Sequence, residues 1–194
     1  MKIRALLVGI ILVLSATAAL AAGPYVGGAV GLSYLHDSDV STGDTASYDL
    51  GYGLLLNAGY KFDAVPVRAE FEFGYKKASV KDAEGYNADG VDVSAMSFMV
   101  NGYYDIKTNS AFTPYVGGGI GAIRGELSGA PGNLDGDDTQ FGYQLMLGCA
   151  YNFNKNLAID LSYRFQGSTD FNIGGNEKIS YRSSNFMLGM RYTF

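Results

Sequence analysis

Three charged residues occupy alternate positions at Arg68, Glu70 and Glu72, interleaved with Val67, Ala69, Phe71 and Phe73. Residues two apart share one face of a β-strand. A cation and two carboxylates therefore project together, while apolar side chains cover the opposite face. Asp160 and Arg164 stand in the same relation to Leu157, Ile159, Leu161, Tyr163 and Phe165, and Arg191 to Phe186, Leu188, Met190, Tyr192 and Phe194. Gathered inside one structure, these three cations and three anions would neutralise one another. Two chemistries are open to them: a salt-bridged plug that fills an interior, or a charged constriction that selects solutes.

The single histidine, His36, has Ser33, Asp37 and Ser38 close to it in sequence. These are the residue types of a nucleophile and its base, but no motif fixes their geometry, and a solvated loop is the expected setting. Asn133-x-Asp135-x-Asp137 opens like a calcium loop. The glycine due at its sixth position is Asp138 and the closing glutamate is Gln144, so the pattern fails. No catalytic residue, metal or cofactor is expected.

Strands must present the alternating faces, and the alternation recurs along the chain. It predicts strands near residues 25–35, 50–60, 67–75, 93–104, 113–124, 140–152, 157–166 and 185–194. The connections alternate in length. Long polar segments fall at 36–48, 76–92, 125–138 and 167–181, and short turns at 61–66, 105–112 and 154–156. The long segments are acidic, with Asp82, Glu84, Asp89 and Asp92 in one and Asp135, Asp137 and Asp138 in another.

The first residues read differently. Lys2 and Arg4 precede an apolar run from Ala5 to Leu14, and small residues follow up to Ala22. A basic start, a short apolar run and an A-x-A site make a secretory leader. Cleavage is expected after Ala21, or after Ala22, giving a leader at 1–21 and one domain at 22–194. The apolar run is too short to span a bilayer. Cys149 is the only cysteine, so no internal disulfide forms. The formal net charge of -5 becomes -7 once Lys2 and Arg4 leave with the leader, which argues against nucleic acid as a partner.

An exported chain with 27 glycines, 15 tyrosines and only 17% charged residues fits an all-β architecture, an eight-stranded antiparallel transmembrane β-barrel. Long loops then face outward, and both ends lie on the periplasmic side. The apolar faces meet lipid, where a midplane charge costs about 2–4 kcal/mol. The charged faces meet in the lumen. Tyr34, Tyr52, Tyr75, Phe141, Tyr163 and Phe165 toward the loops, and Tyr60, Tyr104, Tyr151, Tyr192 and Phe194 toward the turns, make two aromatic girdles. Eight strands leave an interior barely wide enough for its own side chains, which favours the plug.

Thr113-Pro114-Tyr115-Val116-Gly117-Gly118-Gly119-Ile120-Gly121 resembles the central strand of opacity-type surface antigens and small porin-family outer-membrane proteins. The two strands between Phe141 and Phe165 are similar too, as is the ending Met190-Arg191-Tyr192-Thr193-Phe194. The resemblance implies a Gram-negative outer-membrane surface protein. It also implies that Phe186, Leu188, Met190, Tyr192 and Phe194 form the signal read by the assembly machinery. The expected partners are outer-membrane lipid and lipopolysaccharide, that machinery, and a host or surface ligand at the loops. The expected state is a monomer. A narrow porin for small solutes is the alternative.

Overall fold

A computed structural model describes residues 21–36, 38–39, 45–48, 50–62, 64–82, 92–128, 136–169, 171–173, 177–179 and 181–194. Among them are eight long strands: β1 (Ala21–Leu35), β2 (Gly51–Phe62), β3 (Val67–Asp82), β4 (Asp92–Asp105), β5 (Phe112–Ser128), β6 (Gly136–Asn152), β7 (Leu157–Ser168) and β8 (Arg182–Thr193). Ser38–Asp39 and Thr45–Tyr48 form short strands between β1 and β2, and Phe171–Ile173 pairs with Glu177–Ile179 between β7 and β8.

Every long strand pairs antiparallel with its sequence neighbour, and β1 pairs with β8. The sheet thereby closes into the barrel that the alternation predicts. Closure leaves no edge among the long strands, the condition for a sheet to stand in hydrocarbon. Following paired residues from Val26 through Ala58, Phe71, Val100, Ile120, Tyr143 and Gly167 leads to Arg182. Arg182 accepts a backbone hydrogen bond from His36. One circuit thus climbs from position 26 to position 36 of β1, a stagger that tilts the strands by roughly 40°.

The outer face is apolar. Val30, Leu56, Phe71, Phe98, Ile120, Leu145, Leu161 and Leu188 are all exposed, which is the surface that lipid covers. The opposite residues of the same strands are buried. Glycines make room for them. The rings of Tyr25, Tyr103 and Tyr115 lie inside against Gly59, Gly117 and Gly148, each on the neighbouring strand directly across the ladder. A side chain at any of these glycines would occupy the space of the ring.

Several strands run further toward the loops than the alternation predicts. β3 continues to Asp82 rather than ending at Tyr75, β5 to Ser128 rather than Arg124, and β6 begins at Gly136. Above the membrane both faces of a sheet meet water. The apolar half of the pattern stops there while the hydrogen-bond ladder continues.

Candidate functional site

Arg68, Glu70, Glu72 and Arg164 are buried within the barrel, and Asp160 and Arg191 are largely buried beside them. β3, β7 and β8 position them, each presenting its polar face inward. Five of the six line one small cavity, and Glu72 joins them through Arg164. Arg164 pairs with Glu72 across the lumen, and Arg191 lies 3.8 Å from Asp160. Arg68 turns to a residue outside the predicted set: its Nε donates to both carboxylate oxygens of Asp105, at 2.9 and 3.0 Å. Its guanidinium also stacks 4.5 Å from the Tyr103 ring centroid and 4.9 Å from that of Tyr115.

Glu70 accepts from three neutral donors: the Tyr103 hydroxyl at 2.8 Å, the Tyr25 hydroxyl at 3.0 Å and Asn101 Nδ2 at 3.4 Å. Around the Arg164–Glu72 pair, Gln144 donates to Glu72 at 3.1 Å and to Asn101 at 2.7 Å. Lys76, also outside the predicted set, is buried above them and donates to Gln166 Oε1 at 2.6 Å.

The spanning part of the interior thus carries Arg68, Lys76, Arg164 and Arg191 against Glu70, Glu72, Asp105 and Asp160. Both missed residues continue an inward alternation, Lys76 after Glu72 and Gly74, and Asp105 after Asn101 and Tyr103. The sequence reading places each in a connection: Lys76 is followed by Lys77 on the outer face, and Asp105 opens a polar run through Lys107 and Thr108. Period two, carried past the last aromatic residue, would have found them.

Apolar side chains share the lumen with these polar groups. Tyr103, Tyr115, Met146, Ala150 and Ala158 form one cluster, Tyr103 standing across the ladder from Arg68, and Ala95, Met99 and Ile123 form another, with Ala95 and Met99 across from Lys76 and Glu72. Between the ion pairs lies a cavity of about 30 Å3 lined by Asn57, Arg68, Glu70, Asp160 and Arg191 among others. That is room for one or two water molecules. Asn57 Oδ1, Arg68 Nη2 and Asp160 Oδ1 have no hydrogen-bond partner among the described residues.

On β8, Phe186, Leu188, Met190 and Tyr192 all point outward and are exposed, as is Phe194 just after it. The two ends of the described barrel meet there, Phe194 N–H donating to the Pro24 carbonyl at 3.0 Å. His36 is placed at the loop end of β1, where its Nε2 lies 2.8 Å from Ser184 Oγ, which is also 2.8 Å from the Tyr163 hydroxyl. Ser33 is not the serine beside it, being buried inside the barrel, and the side chain of Ser38 lies outside the described residues. Asp37, Asn133 and Asp135 lie outside the described residues, as do residues 1–20 of the expected leader at 1–21.

The sequence profile of the outer membrane protein beta-barrel domain matches residues 4–194. The chain belongs to that family. Its curated relatives include the outer membrane protein PagN of Salmonella typhimurium, 27% identical with 93% of each chain covered. A Brucella abortus protein of uncharacterised function is 29% identical over 66% of this chain and 53% of its own length. Among solved structures, Neisserial surface protein A is similar at a TM-score of 0.66 and 23% identity, covering 90% of this chain and 99% of that one. Ail, the attachment invasion locus protein of Yersinia pestis, is similar at 0.55 and 16% identity, covering 89% and 99%. This family member is therefore a small β-barrel protein of the Gram-negative outer membrane.

Proposed function

We propose that the protein acts as a structural and interaction barrel, through its acidic extracellular loops, and not as a pore or an enzyme. The observation that carries this reading is the filled lumen. Arg164–Glu72, Arg68–Asp105 and Arg191–Asp160 cross or line it, and the amides of Asn101, Gln144 and Gln166 knit the spaces between. A barrel closed by its own side chains leaves the loops as its working surface, since loops on a rigid scaffold carry recognition. The naming of Ail for attachment and invasion agrees with that role.

The rest of the reading follows the same orientation. A leader at 1–21 is removed, both ends lie in the periplasm, and the barrel works as a monomer in lipid and lipopolysaccharide. The assembly machinery reads β8, and a host or surface ligand meets the loops.

Conductance of the refolded protein in a planar bilayer tests the proposal. The expected result is little or no steady current from the unmodified barrel. Steady conductance, with ion selectivity that shifts in opposite directions for Arg164→Ala and Glu72→Ala, would hand the protein to the narrow-porin reading.

A further inference from the structure

Three polar atoms meet at the small cavity between the ion pairs, and no described residue answers them. Arg68 commits its Nε to Asp105, while its Nη2 is buried and unpartnered. Asn57 Oδ1 and Asp160 Oδ1 are buried and unpartnered too, and all three residues line the same cavity of about 30 Å3. They come from β3, β2 and β7. The ion pair beside them is loose. Arg191 Nη2 stands 3.8 Å from Asp160 Oδ2, beyond hydrogen-bond distance. The cavity also touches the seam where β1 meets β8. Ala29 and Gly189 face each other there across the ladder, and neither carries a side chain larger than a methyl.

The lining restricts what can sit in this space. A buried donor or acceptor left unpaired is costly, and three around one cavity call for a common partner. That partner must accept from Arg68 and donate twice, to Asn57 and to Asp160. A metal cation has no hydrogen to donate, and it would stand among Arg68, Arg164 and Arg191. A halide cannot donate either, and it would meet Glu70 and Asp160. Water is neutral, both donates and accepts, and fits the volume.

We propose that this cavity is the binding site of a resident water molecule. It accepts a hydrogen bond from Arg68 Nη2 and donates to Asn57 Oδ1 and Asp160 Oδ1. A water-mediated bond is nearly as favourable as a direct one, so the molecule joins what the side chains leave apart. It connects the Arg68–Asp105 pair on β3 and β4 to the Asp160–Arg191 pair on β7 and β8, with Asn57 on β2 as the third anchor. Five of the eight strands are thereby tied through one solvent molecule. Elsewhere in the lumen the amides of Asn101, Gln144 and Gln166 bond directly to one another. The inference rests on the closed lumen proposed above.

Diffraction from crystals of the refolded full barrel tests it, with bromide and rubidium soaks as probes for an ion. The expected result is a water peak within hydrogen-bond distance of Arg68 Nη2, Asn57 Oδ1 and Asp160 Oδ1, with no anomalous signal from either ion. Ala29→Val adds apolar volume to the lining and leaves all three polar partners in place. It should remove the peak and lower the urea midpoint, since three polar atoms then lose their partner. A peak retained beside a folded Ala29→Val wall would overturn the assignment. Nuclear magnetic cross-relaxation between a long-lived water and the Arg68 guanidinium protons gives a second reading on the unmodified protein, independent of whether the variant folds. A dry cavity in a barrel that carries no current sinks the site alone, as does direct pairing among the three atoms. Bromide or rubidium at that position makes the ligand an ion and overturns the water. A file of waters along the whole lumen, together with steady conductance, overturns the closed lumen and the site with it.

Discussion

Arg164 is fixed inside the lumen by Glu72, with its Nε 3.4 Å from Ser162 Oγ and its Nη2 3.5 Å from the Tyr103 hydroxyl. Removing either member of the pair strands the other charge in a confined space, which costs about 3–5 kcal/mol. Arg164→Ala and Glu72→Ala should each lower the urea midpoint of the folded barrel, read by gel mobility or tyrosine fluorescence. Lys76 makes the contrast. Its hydrogen-bond acceptors among the described residues are neutral oxygens, Gln166 Oε1 at 2.6 Å and Ser183 Oγ at 3.4 Å. Lys76→Met gives up hydrogen bonds worth about 1–2 kcal/mol but also relieves the burial of a charge. Its urea midpoint should therefore stay close to that of the parent. A loss at Lys76→Met as large as at Arg164→Ala would mean that the lysine, too, answers a carboxylate. Unchanged stability in all three would mean that the interior is wet enough to screen them.

At the scale of the strand, period two was readable wherever one face met lipid. All eight long strands and the side on which each residue lies follow from it, as at Phe71 against Glu72 or Tyr192 against Arg191. The ladder above the membrane was not readable, because a strand wet on both faces has no reason to alternate. That is why the alternation stops short of the end of β3 and starts after the beginning of β6. Pairings inside the lumen were beyond the pattern for a different reason. Alternation gives the face of Arg68, but the register of β3 against β4, with Arg68 across from Tyr103 and the Asp105 N–H donating to the Pro66 carbonyl, brings Asp105 to it rather than Glu70 or Glu72. β8 is where the strand pattern has its clearest consequence. Deleting Phe194, or replacing Tyr192 and Phe194 together by serine, should lower the yield of heat-modifiable barrel in the outer membrane. Full yield from the doubly substituted protein would remove the assembly role from this strand.

For the molecule as a whole, long connections at one end and short turns at the other divide it into an outer and an inner pole. An epitope tag inserted between residues 129 and 135 should bind antibody on intact cells, and one at Asn154–Asn156 only after the outer membrane is opened. Labelling of the second tag on intact cells would invert the barrel. The tyrosines set against glycines inside the wall carry a consequence of another kind. The chain has no tryptophan, so its near-ultraviolet optical activity comes mainly from tyrosine. Tyr25 and Tyr103 are locked in a chiral enclosure with hydroxyls on Glu70, and Tyr115 stands edge-on to Tyr103, whereas the girdle tyrosines lie against fluid lipid. The circular dichroism of the intact barrel is thus a label-free view of its interior, and it will fade when the lumen loosens even while the strands remain paired.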